Sequence, residues 1–541
     1  MKITKFTKFD DFDEAEAPAA VAEDFDLEFV TVPFGKYRNQ SILDVAKAAP
    51  DYIEWMLGAY AKGDFDHPWI GVNKELLRSA ITAAAKAKAN EAPPIELTEH
   101  QRDVVTELMD DIGQGLNIVR LEGGAGYGKS YATAAIAKEL GSQGRRVRAT
   151  AVSYVATQVL QEQLDHIGVS CATLAKTLKF EKVFVEGAEV YRLSADSPEA
   201  ARVALAEGNV LIVDECSMVS DEIATALFEA VNAHGGLLVL VGDSAQLPPP
   251  TQETKSICCE DWGQGVATLT KPMRYAEDSD LYGIEQRSRT NPWGLLSQLP
   301  QTESTEVTVV NSMGALVEDY VMRYRAEPDA LHRMMLFRRR DVIAANNAIR
   351  NRLFGDDALI VEANERLMIM STSDYPHMPE GSLSDSTRYY SGESFRVSDA
   401  ELKEYTIKID GGTYVIPHYE VKFAGRRGTV RIIFGVTENT ADEQQTGGPQ
   451  YSAALGAAAA YGRKTDENGN KLGSWTYFKQ LKNDFVLVAY QYATTTHRAQ
   501  GQTADYAYCD PRSLLSIRGI VGQSLAYVAL TRARKHLTIK I

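Results

Sequence analysis

The chain reads as an α/β protein: parallel sheets covered by helices on both faces, a β-rich insertion, and a small, mainly helical N-terminal unit. Three observations carry this. Short apolar runs alternate with helical stretches from Leu97 to about Leu269 and again from Val307. One of those runs leads into the glycine-rich loop GGAGYGKS (123–130), followed by a helical stretch. Between about Glu362 and Leu481 the pattern changes to short alternating segments such as 394–400, 417–423 and 429–436.

Taken in order, residues 1–30 are read as an acidic flexible segment. The stretch 10–28 holds a dense acidic cluster without Lys or Arg. A solvated tether fits it better than a DNA mimic or partner hook. Residues 31–94 form the small N-terminal module with a connecting helix. Ile42, Val45 and Ala46 have helical spacing, Pro50 breaks it, and Tyr52, Ile53, Trp55 and Met56 follow on a second helix. The prolines at 93 and 94 mark a boundary. The apolar runs at 116–123, 147–152, 209–213 and 237–241 are then buried parallel strands.

Composition bounds the function. A net charge of −16 over 541 residues argues against a nucleic-acid binder unless a locally positive channel exists. The five cysteines have no zinc-finger spacing, and a chain of this length needs no disulfide scaffold, so a reducing cytosol is expected. No run approaches a membrane span, and charges throughout the first thirty residues do not read as a signal peptide. The expected location is the cytoplasm.

The glycine-rich loop is the sharpest signal. It fits G-x-x-x-x-G-K-[S/T], with Gly123, Gly124, Ala125, Gly126, Tyr127 and Gly128 curling backbone N–H groups around phosphates. Lys129 can reach the β/γ-phosphates of ATP, and Ser130 can ligate Mg²⁺. The acidic pair Asp214-Glu215 ends the run 210–213. Asp214 would hold Mg²⁺, and Glu215 would orient the attacking water. A third strand ends in GDSAQLPP (242–249). There Gln246 could touch the γ-phosphate or its water, or merely sit in a turn after a core strand. Thr98 can cap a helix, and Gln101 offers a donor and an acceptor to an adenine edge, with a plain structural role left open.

These segments in this order, with LTEHQ (97–101), LTKPMR (269–274), TTTHRAQGQT (494–503) and YVALTRARKHL (527–537), resemble superfamily 1B helicases of the Dda, RecD-like and Pif-like branch. The resemblance implies two RecA-like P-loop motor domains with an SH3-like accessory insertion. It implies that Arg274 and Arg532 reach the γ-phosphate, and that Thr496, His497, Gln500 and Gly501 lie near both ATP and DNA. The segment 172–180 resembles a run bordering the single-strand channel, which nominates Thr173 and Lys179. Ser153 or Tyr154 would take a contact that other members give to a Pro-Thr-His element absent here. Residues 181–193 resemble the separation hairpin, with Phe184 as a tip aromatic or a packed strand residue. Arg339 falls in a run of three arginines that could face phosphates or solvent. The N-terminal unit resembles a small FGKY…PxYIxWM module found on some exonucleases and phage replication proteins. Its Lys36, Tyr37 and Arg38 could touch a nucleic-acid end, or the unit could be a packed or protein-binding domain with Tyr52 and Trp55 in its core.

The resemblance divides the chain into a first motor domain at 95–269 with its hairpin at about 180–200, a second motor domain at 270–361 and 482–541, and the accessory domain at 362–481, including a long loop with one helix at 441–470. It implies an ATP- and Mg²⁺-dependent DNA helicase moving 5′ to 3′ on single-stranded DNA, acting at forks as a monomer, and open to a replication or single-strand-binding partner. A DNA-stimulated translocase without unwinding, an RNA helicase, and a nucleotide-gated scaffold are the alternatives. The scaffold has no use for the hydrolytic set Lys129, Asp214, Glu215, Arg274 and Arg532.

Overall fold

The structure, a computed structural model, describes residues 30–61, 65, 67–91, 95–185, 188–260, 265–276, 278–297, 299, 304–355, 358–371, 373–374, 388–426, 428–434, 448–465 and 472–541. The acidic segment before residue 30, and residues 441–447 and 466–470 of the expected long loop, lie outside them. Two compact units result: the described residues before Ile95 with 136–147 and 166–169, and the remainder.

In the first unit, Ser41 caps α1 (Ile42–Ala48), its Oγ accepting from the Asp44 backbone N–H at 3.0 Å. Pro50 cannot donate an N–H to continue α1 and instead opens α2 (Pro50–Ala61). The last helix before Ile95 is α3 (Pro68–Glu91). Ile42, Val45, Ile53, Met56, Ile70 and Leu77 are fully buried. Ile53 and Met56, three apart, share the inward face of α2. Trp55 lies off that face and is 47% exposed, so it rims the core rather than filling it. Tyr52 packs against the core partly buried.

From Ile95 the chain runs through α4 (Glu99–Gly113), β1 (Ile118–Gly123), α5 (Lys129–Ser142), β2 (Arg146–Ala151), α6 (Tyr154–Leu164), β3 (Ser170–Thr173) and α7 (Leu174–Thr177). There follow β4 (Glu181–Val185), β5 (Ala188–Arg192), α8 (Ser197–Ala204), β6 (Asn209–Asp214), α9 (Asp221–His234), β7 (Leu237–Gly242) and β8 (Val266–Leu269). Six strands make one sheet in the order β3-β2-β6-β7-β1-β8. Leu211–Val213 and Leu238–Val241 are fully buried, as strands covered on both faces must be. The β4–β5 hairpin pairs from Glu181↔Arg192 to Val185↔Ala188 outside this sheet. It ends before α8, short of the expected limit at 200.

The second lobe contains α10 (Asp280–Thr290), α11 (Pro292–Leu296), β9 (Val307–Val310), α12 (Met313–Ala326), β10 (His332–Leu336) and α13 (Arg339–Phe354). The insertion has β11 (Arg366–Ile369), β12 (Ser373–Asp374), β13 (Arg388–Tyr389), β14 (Ser394–Ile409), β15 (Gly412–Phe423), β16 (Val430–Phe434), α14 (Gly448–Gly462), α15 (Thr476–Asp484) and β17 (Val486–Tyr490). The chain then returns through β18 (Ala493–Thr495), α16 (Thr496–Ala499), β19 (Ala504–Cys509), α17 (Pro511–Leu515), α18 (Gly519–Leu530) and β20 (Ala533–Lys540). The lobe's parallel sheet runs β18-β10-β19-β20-β9, and β11-β14-β15-β16-β17 close a barrel.

This corrects one boundary. The run from Phe485 was expected to re-enter the second motor domain at 482, but β17 closes the barrel, antiparallel to β11 and parallel to β16. The sheet resumes only at Ala493. An unbroken apolar run carries no turn residue at Gln491–Tyr492 to announce that it serves two sheets. The long β14–β15 arm turns through Asp410 and Gly411, both at positive φ, as the Asp-Gly of a tight hairpin requires. Ile407, Ile416 and Phe485 pack there with Tyr451 and Ala454 of α14.

Candidate active site

The glycine-rich loop joins the C-terminal end of β1 to α5. Gly126 and Gly128 take φ of +83° and +80°, which a side chain resists. A Cβ on Gly126 would stand 2.7 Å from Arg274 Cβ. Lys129 Nζ donates to the Gly123 and Gly124 carbonyls at 2.9 and 3.0 Å. Gly123 is packed against Leu269, and a Cβ on Gly124 would lie 2.5 Å from Glu285 Oε1. Tyr127, assigned from sequence to the phosphate cradle, contributes only backbone: its ring is buried and its hydroxyl donates to Glu285 Oε2 at 2.7 Å. The intervening positions of such a loop offer amides to an anion, which leaves their side chains free to pack elsewhere.

A cavity of about 550 Å³ lies over this loop, within the range of small-molecule sites. Gln101, Ala125, Gly126, Gly128, Lys129, Ser130, Asp214, Glu215, Gln246, Arg274 and Arg532, all assigned from sequence, line it together. Asp214 closes β6, and burial beside Glu215 pushes its carboxyl up to about 7, against the opposing pull of Lys129. Two half-buried carboxylates side by side on a cavity wall suit a divalent cation. Glu215 sits at φ +55°, a left-handed conformation costing about 1–3 kcal/mol that the surrounding fold imposes. Gln500 Nε2 approaches its carboxylate at 3.5 Å. Gln246 donates to Asp243 Oδ2 at 3.3 Å, while its Oε1 is buried without a protein partner.

Gln101 lines the cavity but is also a structural residue. Its Oε1 accepts from the Thr98 backbone N–H at 3.1 Å, completing a capping box at the start of α4, and its Nε2 donates to the Gly128 carbonyl at 3.4 Å. Across the cavity, Arg274 donates to the Thr531 carbonyl at 2.9 Å. Arg532 is buried, donating to Val528 O at 3.1 Å and Gln502 O at 3.3 Å. Burial, then the neighbouring Arg274, lowers its pKa from the usual guanidinium value. Such an arginine is poised for an anion.

The residues nominated for nucleic acid divide. Ser153 and Thr173 cap α6 and α7, accepting from Ala156 N at 3.1 Å and Lys176 N at 3.2 Å, at the ends of adjacent strands. Tyr154 begins α6 with its ring stacked on Tyr390, centroids 3.3 Å apart and planes 8° off parallel. Lys179 is exposed at φ +52°. Arg339 is exposed at the start of α13, between the exposed Arg338 and Arg340. Thr496 is a correction: it is fully buried and its hydroxyl donates to Leu336 O at 3.1 Å, so it fastens α16 to β10 instead of meeting a ligand. His497 is half-buried, and burial lowers its pKa. Phe184 pairs with Glu189, one step back from the last pair of the hairpin; its side chain lies outside the description.

Sequence reasoning missed Arg534, Tyr131, Val159, Gln163 and Thr503 in the cavity wall. Arg534 was within reach. It lies two residues beyond Arg532 in TRAR, where a chain entering a strand repeats its facing every second residue. Tyr390 carries no motif and lies 236 positions beyond Tyr154, a pairing only the tertiary fold creates.

A family model described as an AAA domain matches residues 96–290. The chain is 24% identical over 456 residues to an ATP-dependent DNA helicase, dda, of Enterobacteria phage T4, covering 81% of this chain and 98% of that protein. It is 33% identical over 153 residues to the ATP-dependent RecD2 DNA helicase of Deinococcus radiodurans, covering 28% of this chain and 18% of that one. Among solved structures, the Pif1 helicase from Candida albicans superposes with a TM-score of 0.45 at 18% identity, covering 83% and 95% of the two chains.

Proposed function

We propose, from the relation of this chain to superfamily 1 helicases of the Dda and RecD2 kind, that it is an ATP-driven motor that tracks along single-stranded DNA and opens duplex ahead of it. The chain is an ATP-hydrolysing enzyme with a RecA-like P-loop motor domain and β-rich and helical accessory regions. The observation that carries the reading is the shared cavity: Lys129, Asp214 and Glu215 from the first lobe line it with Arg274 and Arg532.

In this reading ATP enters with Mg²⁺, which Ser130 and Asp214 would hold and which supplies charge neutralisation at the phosphates. Lys129 exchanges the Gly123 and Gly124 carbonyls for phosphate oxygens. Glu215 orients the attacking water, with Gln500 steadying its carboxylate. Arg274 and Arg532 neutralise charge developing on the transferred phosphoryl group. Because Arg532 comes from α18's C-terminal end in the second lobe, the site is complete only with the lobes together, and hydrolysis is thereby coupled to lobe movement.

Movement 5′ to 3′ is supported by the resemblance to the branch carrying its barrel within the second lobe. Strand separation at the β4–β5 hairpin is supported by the hairpin's standing apart from the main sheet. The test is unwinding of partial duplexes with a 5′ or a 3′ single-stranded tail, with ATPase followed in parallel, beside Lys129→Ala. Unwinding of the 5′-tailed substrate alone, abolished in Lys129→Ala, is expected. Unwinding of the 3′-tailed substrate alone overturns the polarity, and ATPase without unwinding of either leaves a translocase. Near-normal ATPase in Lys129→Ala refutes the site.

A further inference from the structure

A buried polar cluster beneath the glycine-rich loop has no part in the mechanism above. Its centre is Asp243, which follows β7 and is 1% exposed. Asp243 Oδ2 accepts from Gln246 Nε2 at 3.3 Å and from the Tyr527 hydroxyl at 2.7 Å. The same hydroxyl accepts from the Ala125 backbone N–H of the loop at 3.3 Å. Glu285 on α10 has one oxygen 3.3 Å from the Tyr527 hydroxyl and the other accepting from Tyr127 at 2.7 Å. Tyr527 and Glu285 belong to helices packed on the second sheet, through Leu525, Val528, Leu281 and Ile284. Ala125, Tyr127 and Asp243 belong to the first lobe. One phenolic oxygen therefore bonds the phosphate loop and the end of β7 to the helix that leads, five residues on, to Arg532.

We propose that Tyr527 is a positioning residue for ATP hydrolysis: its hydroxyl holds α18 in register with the phosphate loop, so that Arg532 meets the γ-phosphate only when the loop and Asp243 are in their nucleotide-bound arrangement. The proposal deepens the reading of the cavity as an ATP-hydrolysing site and rests on it. The geometry explains why a tyrosine serves here. A phenol donates one hydrogen bond and accepts another, so it bridges a carboxylate and an amide at once, which phenylalanine cannot do. It also gives Gln246 a line of communication. Any change in what its unpartnered Oε1 meets pulls on Asp243, and through Asp243 on Tyr527. Glu285 does the corresponding work from α10, and burial raises its pKa above the usual carboxylate range against the hydrogen bond from Tyr127.

The test uses the full chain and Tyr527→Phe, which keeps the ring and removes one oxygen. Affinities for Mg²⁺–ADP and for the transition-state mimic Mg²⁺–ADP–aluminium fluoride are measured beside steady-state ATPase and thermal midpoint. In the variant, ADP affinity and KM for ATP should stay within about twofold, while mimic affinity and kcat fall about tenfold or more, the order expected for one hydrogen bond to a buried carboxylate. Glu285→Gln should lose mimic affinity in the same selective way, and it carries the comparison if the Phe variant does not fold. Unchanged mimic affinity overturns the proposal, as does an equal loss of ADP binding, mimic binding and thermal stability, which marks mere packing. Wild-type protein that binds the mimic no more tightly than ADP overturns the hydrolytic reading itself, whereas discrimination that survives in both variants overturns the role of Tyr527 alone.

Discussion

Arg289→Ala is the substitution whose cost the structure defines best. On α10, Arg289 pairs with Glu122 Oε1 at 3.0 Å and Asp243 Oδ1 at 3.1 Å. Its own side chain is 23% exposed, but those of Glu122 and Asp243 are 7% and 0% exposed. Removing one member of a buried pair strands the other's charge and costs about 3–5 kcal/mol. Here the stranded carboxylates keep other donors: Ser244 N at 2.7 Å for Glu122, Tyr527 at 2.7 Å and Ala245 N at 3.1 Å for Asp243. The lower end, about 3 kcal/mol, is therefore expected, or roughly 6–12 °C in the midpoint of a lobe-sized unfolding unit. Urea denaturation and thermal scans of the two proteins measure it, and Glu122→Gln completes a double-mutant cycle that isolates the pair. A loss below about 0.5 kcal/mol, the worth of an exposed ion pair, would refute the claim that this arginine bolts the lobes through buried charge.

Glu215→Gln should retain ATP binding while slowing hydrolysis about 100-fold or more, read as a kcat loss with little change in nucleotide affinity. Gly124→Ala puts a Cβ 2.5 Å from Glu285 Oε1 and 2.8 Å from Tyr127 Cε1. It should cost about 1–3 kcal/mol by denaturant titration, and a stability equal to the parent's would mean the cluster yields freely. Burial and the neighbouring Glu215 raise Asp214 to about 7. Its carboxylate is thus favoured only above that pH, and this group's contribution to stability is lost as pH rises from the ordinary carboxylate range toward 7. Mg²⁺ should reverse that loss, so the thermal shift given by Mg²⁺–ADP should be larger at pH 8 than at pH 6; equal shifts would contradict it. Tyr390→Ala, which removes the stacking partner of Tyr154, should weaken single-strand binding by about 1–3 kcal/mol in fluorescence anisotropy if bases stack there, and unchanged affinity would assign the pair to inter-domain packing.

Some features were legible because their physics is local. A loop that wraps phosphates needs glycines where φ is positive and a lysine and hydroxyl at fixed distances along the chain, so GGAGYGKS declares itself. The carboxylates after an apolar strand and the Thr98 cap have the same local logic. Side-chain roles inside those motifs were less legible. Tyr127 was placed in the cradle by its backbone alone, and nothing in the motif announced that its ring serves the buried cluster. Thr496 was placed beside a ligand, yet it ties two elements of its own lobe together. Gln101 is shared between the cavity and its helix cap.

By itself the sequence determined the fold class, the phosphate loop and the acidic pair, since each follows from spacing along a few residues; the two arginines were sought near them only because the family resemblance implies them. The tertiary structure alone decided that the run at Phe485–Tyr492 closes a barrel before the second sheet resumes, that Tyr390 stacks on Tyr154, and that Tyr527, Glu285 and Arg289 reach Tyr127, Asp243 and Glu122. Except for Arg289 with Asp243, 46 positions apart, those contacts join residues more than 110 positions apart, the β11–β17 closure of the barrel included. Local propensity carries no record of which distant strand or carboxylate a side chain will meet. That choice is made when the apolar faces of two lobes are buried and the polar groups carried inward with them must find partners there.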